Sequence, residues 1–280
     1  MEQAKRPFLD DLMVVLVVYN RTIESSAAFD SLTRALRSCG HSTSLFIYDN
    51  SVQPQVAPAS AEWSITYRNN SQNPGVSKAY NEGFACAKAQ GKKWMMLVDQ
   101  DTEFPERCFD AYEQVCSGQC WVAVPILRDA RGIVSPLKFH WGGGQRLQKI
   151  EGTSLKLDEY FFLNSGLMIT TEAFEKAGRY DENLPLDFSD FSFVHALRQV
   201  TGFFVVADCV CHHPLAATSP QDVDVRLGRF ESYLKAARYF RKNYQPHDFF
   251  ISPRLFLRSL KLSFQYVNFR FLGLYFRRHG

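Results

Sequence analysis

Hydrophobic and polar positions follow two periodicities along the first half of the chain. Short apolar runs of strand length, rich in β-branched or bulky residues, alternate with segments that place apolar side chains at helical spacing and end at a glycine. The strand-like runs are 12–19, 45–48, 63–68 and 94–98, and the helix-like segments are 29–40 and 76–91. Such alternation predicts an α/β domain with a mostly parallel sheet and helices on both faces.

The second half is more mixed. The predicted helices are 109–115, 171–178 and 191–200, and the predicted strands are 121–125, 161–169 and 203–207. The glycines Gly142–Gly144 predict a flexible loop, and Ser165-Gly166 predicts a turn of close backbone approach inside its strand.

Composition narrows the class of protein. With 280 residues, 46% of them hydrophobic, the chain can build one large domain with an appendage. The net charge of +3 is too small to indicate nucleic acid. Seven scattered cysteines favour reduced thiols in a cytosolic setting. Neither a signal peptide nor a run of about 18 apolar residues is recognisable, so we expect a cytoplasmic protein.

Two carboxylates follow the apolar run at 94–98. Asp99 and Asp101 lie one residue apart at the carboxyl end of that predicted strand. Hard oxygen ligands of this kind bind divalent cations, and ligands bind at this edge of open α/β sheets. The alternative interpretation is a solvated acidic turn or a helix cap.

Six short motifs in a fixed order carry a resemblance to a known family. They are VVYNR at 17–21, YDNS at 48–51, NPGVSKAYNEG at 73–83, LVDQDT at 97–102, NSG at 164–166 and DFSD at 187–190. Over about residues 12–215 the chain resembles the family-2 inverting, nucleotide-sugar-dependent glycosyltransferases with the GT-A fold, and most of all their bacterial rhamnosyltransferase-like branch. The resemblance implies a GT-A catalytic domain over 1–220 and a helical C-terminal extension over 221–280.

The resemblance implies a metal site at the acidic motif. Asp101 is the expected direct ligand of Mn²⁺ or Mg²⁺, with Asp99 and His213 beside it, and the ion would neutralise the departing diphosphate. A rival interpretation is a zinc site made by Cys209, Cys211 and a histidine, with Cys116 and Cys120 as further candidates. The sequence lacks the paired Cys-x-x-Cys units typical of such sites.

The resemblance also implies the residues that bind the nucleotide-sugar. They are Tyr19, Asn20, Arg21, Asp49, Asn50, Gly75, Lys78, Asn81, Asp99 and Gln100. Capping of the following helices explains Asn20 and Asp49 nearly as well. Gly75 would permit close backbone approach to the ligand.

Inverting transfer needs a base that takes the proton of the acceptor hydroxyl. By resemblance, Asp190 with Arg198 on the following helix comes nearest to the family pattern, and Asp187 is the alternative. The family's second acid is replaced by Phe191–Phe193, and a helix-capping role explains either aspartate without catalysis. The acceptor side is expected at Asn164, Ser165 and Gly166.

From Arg226 onward, basic residues are interleaved with aromatic ones. Phe230–Tyr244 and Pro253–Phe276 are predicted helices that would either lie on an anionic membrane or pack on the catalytic domain or a second subunit. No recognisable nucleic-acid-binding module is present.

The predicted function is therefore transfer of one sugar from a nucleoside diphosphate donor to a glycan or lipid-linked acceptor in bacterial surface-polysaccharide assembly. Gln100 between the two acids resembles the rhamnosyltransferase branch, so dTDP-rhamnose is the first donor candidate and UDP-hexoses are the second. Two hypotheses of other classes are a non-catalytic glycan- or nucleotide-binding scaffold and a zinc-stabilised membrane adaptor.

Overall fold

The computed structural model describes residues 6–118, 120–140, 143–214, 222–245 and 251–277. The strands are Leu12–Val18 (β1), Thr43–Asp49 (β2), Trp63–Asn69 (β3), Trp94–Asp99 (β4), Val122–Asp129 (β5), Gly132–Ser135 (β6), Leu137–His140 (β7), Gly143–Arg146 (β8), Ser154–Lys156 (β9), Tyr160–Phe161 (β10), Leu167–Thr170 (β11) and Phe203–His212 (β12). The helices are Pro7–Asp10 (α1), Ala27–Cys39 (α2), Val76–Ala89 (α3), Cys108–Cys116 (α4), Thr171–Lys176 (α5), Ser189–Leu197 (α6), Val223–Tyr244 (α7), Ile251–Gln265 (α8) and Arg270–Phe276 (α9).

The central sheet confirms the predicted α/β class. Its strand order is β3-β2-β1-β4-β11-β5-β12-β9, with β6 paired to β5. β3, β2, β1 and β4 pair in parallel with one another, and β12 is parallel to β5, whereas β11 runs antiparallel between β4 and β5. In this register Val17 lies opposite Asp99 and Val18 opposite Asp49, so the carboxyl ends of three strands meet at one edge.

Both faces of the sheet are covered, which explains why β1 is apolar throughout. Val14 and Leu16 belong to the core on the α2 and α4 side, and Met13 and Val15 belong to the core on the α3, α5 and α6 side. A Cβ at Gly83 of α3 would lie only 2.5 Å from Val15 Cγ1. The missing side chain at Gly83 therefore sets how closely α3 packs on β1.

The prediction of a flexible loop at Gly142–Gly144 is wrong for Gly143 and Gly144, the two residues of it that the structure describes. Gly143 and Gly144 begin β8, which joins β7 and β10 in a small antiparallel sheet, and Gly142 lies outside the described residues. A Cβ at Gly144 would lie 2.5 Å from Phe161 Cζ. Here glycine makes room for an aromatic ring across the sheet.

The predicted end of the last strand, at Ala207, is also wrong. β12 continues to His212, and its pairing with β5 resumes after an irregularity between Val206 and Val210. Cys209 and Cys211 therefore lie within a strand and point into the core, because buried and exposed residues alternate there.

The C-terminal region forms three helices where two were predicted. Pro253–Phe276 is interrupted after Gln265, and Val267 between α8 and α9 has a φ of 49°. Residues of α7, α8 and α9 share a hydrophobic cluster with Leu184, Phe188 and Phe191 of the preceding region. The predicted boundary at 220/221 lies outside the described residues. Among the helices of the described segments, none is both long and apolar enough to cross a membrane.

Candidate active site

Gln100 connects the loops that follow β1 and β4. The Tyr19 N–H donates to Gln100 Oε1 at 2.9 Å, and Gln100 Nε2 donates to the Tyr19 carbonyl at 3.2 Å. The amide of Gln100, a predicted nucleotide contact, is thus bound to the protein's own backbone. Its effect is to hold the exposed Tyr19 beside the acidic loop.

Asp49, at the end of β2, is fully buried and satisfied within the protein. Its carboxylate accepts hydrogen bonds from the Ser51 N–H at 2.8 Å, the Tyr67 hydroxyl at 2.8 Å and Gln55 Nε2 at 2.9 Å. These bonds hold the loop after β2 in shape, and a contact between Asp49 and a nucleotide stays a prediction.

Asn50 lines a cavity of about 660 Å³ and carries a buried acceptor without a hydrogen-bond partner among the described residues. Its side chain is 2% exposed, and Nδ2 donates to the Gly75 carbonyl at 3.5 Å. Oδ1 has no hydrogen-bond partner among the described residues. Tyr19 and Gly75 line the same cavity, and Gly75 has a φ of 93° with Val76 N–H donating to the Pro185 carbonyl at 2.7 Å.

Two other predicted nucleotide contacts, Asn20 and Arg21, lie in the exposed loop after β1. The Asn20 N–H donates to Ser51 Oγ at 2.8 Å, and the Arg21 carbonyl accepts from Gln55 Nε2 at 2.9 Å. These bonds tie the loop after β1 to the loop after β2. They involve backbone atoms of Asn20 and Arg21 rather than their side chains.

The helix residues Lys78 and Asn81 contact the segment around Tyr180. Lys78 Nζ lies 3.4 Å from a carboxylate oxygen of Glu182. Asn81 exchanges two hydrogen bonds of 3.0 Å with the backbone of Tyr180. The structure thus uses both side chains to attach α3 to this segment, rather than directing them into the cavity that Asn50 lines.

Asp99, Asp101 and His213 come together where β4 ends. Tyr80 donates its hydroxyl to Asp99 Oδ1 at 2.8 Å, and His213 Nδ1 lies 3.8 Å from Asp101 Oδ1. Burial raises the pKa of Asp99; His213 opposes this shift, and the charge of Asp101 adds to it. The two carboxylates therefore repel each other in a poorly hydrated place.

A buried chain of hydrogen bonds supports this cluster. The Asp99 N–H donates to Ser165 Oγ at 3.0 Å, Ser165 Oγ lies 2.6 Å from Thr102 Oγ1, and Thr102 Oγ1 lies 2.7 Å from His213 Nδ1. Ser165 and Thr102 are fully buried. Thr102 is a functional candidate that we did not single out from the sequence, although it follows Asp101 directly.

The residues predicted on the acceptor side separate into two groups. Asn164 lines a second cavity and accepts a hydrogen bond from the Tyr180 hydroxyl at 2.7 Å. Ser165 belongs to the buried chain, and the Gly166 carbonyl accepts from the Tyr112 hydroxyl at 2.6 Å. Only Asn164 of the three faces a space that a ligand can enter.

The side chains that could bind a metal ion near the acidic motif suit a hard cation better than zinc. In the parts of the chain that the structure describes, no group of three or more His, Cys, Asp or Glu side chains is arranged to hold a metal ion. This applies to the zinc hypothesis too, although Cys209 Sγ and Cys211 Sγ lie 3.6 Å apart. The adjacent carboxylates of Asp99 and Asp101 nevertheless have the chemistry that Mg²⁺ and Mn²⁺ prefer, and oxygens of a bound diphosphate would supply further ligands.

Asp190 lies in the second cavity, also of about 660 Å³, in the first turn of α6. Asp99, Asn164 and His213 line the same cavity. Burial raises the pKa of Asp190 to about 7, and the charges of Asp187 and Asp99 add to the shift. A carboxylate with a pKa near neutrality is well matched to taking a proton from a hydroxyl.

Asp187 is in a different electrostatic environment. It forms a two-pronged ion pair with Arg229 of α7, in which Nη2 lies 2.8 Å from Oδ1. Both residues line both cavities, so this pair stands between them. Arg198, the predicted companion of Asp190, instead donates from Nε to the Leu157 carbonyl at 2.9 Å.

The C-terminal helices contribute to the second cavity, which the sequence did not indicate. Arg229 and Tyr233 of α7 line it, as do Arg254 and Arg258 of α8. From the sequence, these helices were expected to lie on an anionic membrane or to pack on the catalytic domain or a second subunit. The spacing of four residues between the lining residues of each helix was the available indication that they share a face.

Comparison with known proteins agrees with this arrangement. The profile of "Glycosyl transferase family 2" matches residues 13–167, more than half of the chain. Among solved structures, S. aureus TarS has 12% sequence identity and a TM-score of 0.50, and the match covers 91% of this chain and 44% of that one. S. aureus TarS 1-349 in complex with UDP-GlcNAc has 13% identity and a TM-score of 0.51, with 90% and 78% covered.

At this identity the likeness to TarS concerns the fold alone, and this chain spans less than half of the longer TarS chain. No curated protein matches the sequence. The mostly parallel central sheet and the C-terminal helices are those of a GT-A fold with a helical C-terminal part. From the extent of the profile match, the chain belongs to glycosyl transferase family 2.

Proposed function

We propose that this protein is an inverting glycosyltransferase that moves one sugar from a nucleoside diphosphate donor to a hydroxyl of a glycan or lipid-linked acceptor. The observation that carries the proposal is the second cavity, in which Asp190, with a pKa of about 7, shares the space with Asp99 of the acidic strand end. The cavity lined by Asn50 adjoins it through Asp187 and Arg229.

In this proposal Asp190 takes the proton of the acceptor hydroxyl as its oxygen attacks the anomeric carbon. The new bond joins that oxygen to the anomeric carbon, and the bond to the diphosphate oxygen breaks in the same step. A single displacement inverts the anomeric configuration. Asp187 is a poorer candidate because both of its carboxylate oxygens already accept hydrogen bonds from Arg229.

Asp99 and Asp101 would hold Mn²⁺ or Mg²⁺, as their paired carboxylates suit a hard cation. The bound ion would neutralise the negative charge that develops on the departing diphosphate. The chain of Ser165 and Thr102 orients His213 beside Asp101.

For the donor, dTDP-rhamnose is the first candidate and UDP-hexoses are the second. The free acceptor at Asn50 Oδ1 supports a base that presents an N–H group, which thymine and uracil share. A TarS structure of similar fold contains UDP-GlcNAc, which supports UDP-sugars as the second candidate.

The expected setting is surface-polysaccharide assembly at an anionic membrane face. Leu257 and Phe264 of α8 are 61% and 66% exposed, and Lys261 lies between them on the exposed side. An apolar and basic face of this kind suits peripheral binding to anionic lipid. Contact with a second subunit is the alternative use of the same face.

The test is a panel of nucleoside diphosphate sugars, assayed with Mn²⁺ for release of nucleoside diphosphate in the presence of bacterial glycan acceptors. We expect release to require the metal and to be lost in Asp101→Ala together with metal-dependent donor binding. If Asp101→Ala binds the donor as tightly as the wild type does, the acidic motif is not part of the donor site. Donor binding without any turnover across the panel would favour the non-catalytic scaffold instead, for which the Phe191–Phe193 replacement is the supporting observation.

A further inference from the structure

The cavity that holds Asp190 has one basic wall. Arg229, Arg254 and Arg258 line it from α7 and α8. Arg229 is committed to Asp187 and also lines the cavity of Asn50, whereas Arg254 and Arg258 line the Asp190 cavity only. The positive charge of α8 is therefore directed at the acceptor side of the proposed reaction.

Arg258 is held in place by an aromatic ring. Its guanidinium carbon lies 4.0 Å from the ring centroid of Tyr233, and that ring packs against Phe188 at 5.5 Å between centroids. In the described residues no carboxylate forms an ion pair with Arg258. A guanidinium that stacks on an aromatic face keeps its N–H groups available along its edge for an oxyanion.

Arg254 lies one helical turn before Arg258, so the two side chains project from the same face of α8. Its Nη1 lies 3.4 Å from the His140 carbonyl at the end of β7. Ile251 and Leu255 of α8 supply apolar lining beside the two arginines. Two guanidinium groups over an apolar lining form a site for an anion with several oxygens.

We propose that Arg254 and Arg258 bind a phosphate group of the acceptor, next to the hydroxyl that Asp190 deprotonates. This inference rests on the proposed function and names the substrate class of the same site. A phosphate offers enough oxygens for both guanidinium groups, and its charge is opposite to theirs. Without such cations an anionic acceptor would be repelled by Asp99 and Asp190.

The phosphates of the donor are the competing occupant. They are expected near Asp99 and Asp101, where a cation would neutralise them, and the nucleoside is expected in the cavity of Asn50. Arg254 and Arg258 do not line that cavity. Asp99 lines the cavity of Arg254 and Arg258, so the experiment keeps the nucleotide site saturated to separate the two occupants. The absence of both arginines from the Asn50 cavity, together with their place beside Asp190, favours the acceptor.

The experiment is calorimetric titration of the full chain, with Mn²⁺ and saturating UDP or dTDP present, using glucose 1-phosphate and methyl glucoside as probes. We expect glucose 1-phosphate to bind at least about tenfold more tightly than methyl glucoside. Arg254→Gln and Arg258→Gln should each weaken glucose 1-phosphate binding about tenfold. Lys242→Gln, which removes an exposed charge of α7 outside the cavity, should leave it unchanged.

A second arm uses farnesyl phosphate in neutral detergent micelles, to learn whether the phosphate comes from a lipid carrier. Tight binding of farnesyl phosphate alone assigns a lipid-linked phosphate, and binding of both phosphate probes assigns the phosphate itself. Either result supports the proposal only if Arg258→Gln abolishes the preference for the phosphate probe over methyl glucoside. Arg258→Lys, which keeps the charge without the planar fork, should give an intermediate affinity.

Three results would overturn the inference: binding of neither phosphate probe more tightly than methyl glucoside, phosphate binding unchanged in both glutamine variants, or no binding of either phosphate probe once the nucleotide site is saturated. The last result would indicate that Arg254 and Arg258 bind the phosphates of the donor. Nucleotide binding is measured separately in every variant. Failure of the wild type to bind any nucleoside diphosphate would count against the proposed function itself, and normal nucleotide binding in Arg258→Gln shows that this variant is folded.

Discussion

Two aspartates three residues apart show how the surroundings of a side chain divide their roles. Asp187 faces Arg229 in an ion pair, whereas burial in the second cavity, with a contribution from the charges of Asp187 and Asp99, raises the pKa of Asp190 to about 7. From the sequence, Asp190 was the first candidate for the base and Asp187 the alternative. Arg229 is more than 30 residues further along the chain, so only the fold brings it to Asp187.

Asp190→Asn should abolish transfer and leave donor binding intact, because the amide cannot accept the hydroxyl proton. The wild-type rate should rise with pH and level off above about 7, since the base must be ionised. A pH–rate profile and donor titrations of both proteins test this. If Asp187→Asn removes transfer and Asp190→Asn does not, the base is Asp187.

The same substitution should alter stability in a pH-dependent way. The pKa of Asp190 is about 7 in the folded state against an ordinary value of 3.8, so the folded state holds the proton more tightly between these pH values. The free energy of unfolding therefore falls as the pH rises through this window. Asp190→Asn should therefore match the wild type near pH 4 and exceed it at pH 8. A pKa shift of about three units limits the difference in the free energy of unfolding between variant and wild type to roughly 4 kcal/mol. Denaturant unfolding at both pH values measures it, and a variant less stable at pH 8 would contradict the buried environment.

Asn50 provides a test of base selection. Its buried Oδ1 lacks a partner in the described residues, and uracil and thymine can donate an imide N–H to it, whereas cytosine has an acceptor at the corresponding ring nitrogen. We expect UDP or dTDP to bind at least about tenfold more tightly than CDP, and Asn50→Leu to remove the difference. Tyr19→Phe, at another residue of the same cavity, is the matched control. Equal binding of all three nucleotides by the wild type would contradict this role.

At the scale of elements, the patterns that predicted correctly were those with strong periodicity. β1, β4 and α3 are within a residue or two of their predicted limits, because their apolar runs are bounded by glycine or by acidic residues. The end of β12 was missed because its residues pair with β5, which lies far earlier in the chain. β8 was missed although it pairs with the neighbouring β7, because its glycines resemble a loop. Distance along the chain also hid the arrival of Arg254 and Arg258 at the cavity.

A pair of glycines tests the packing of α3 on the sheet. Gly83 in α3 and Gly228 in α7 are both within helices, where alanine is intrinsically preferred by about 1 kcal/mol. A Cβ at Gly83 would collide with Val15, and nothing lies within 4 Å of a Cβ at Gly228. Gly83→Ala should therefore lower the free energy of unfolding by about 1–3 kcal/mol, and Gly228→Ala should raise it by about 0.5–1 kcal/mol. Changes of the same sign in both variants would show that α3 can move away from β1 at little cost.

At the scale of the whole molecule, the C-terminal helices pack on the region that precedes α6. Leu184 of that region is buried in the same cluster as Leu234 and Phe271 of the C-terminal helices. α8 thereby presents Arg254 and Arg258 to the cavity, and Leu257 and Phe264 remain exposed on it. One helix thus carries both residues that line the cavity and residues on the outer surface.

The exposed apolar side chains of α8 predict that this helix binds anionic membranes. Replacing both Leu257 and Phe264 by serine should weaken binding to vesicles that contain anionic lipid at least about tenfold, because burial of such side chains in the interface contributes roughly 1.5–3 kcal/mol each. Val56→Ser, at a 92% exposed apolar residue outside the C-terminal helices, should have no effect. Sedimentation with anionic and with neutral vesicles measures both variants, and thermal midpoints should match the wild type because all three side chains are exposed. If the double variant sediments normally but loses self-association in analytical ultracentrifugation, this face of α8 binds a second subunit instead of lipid.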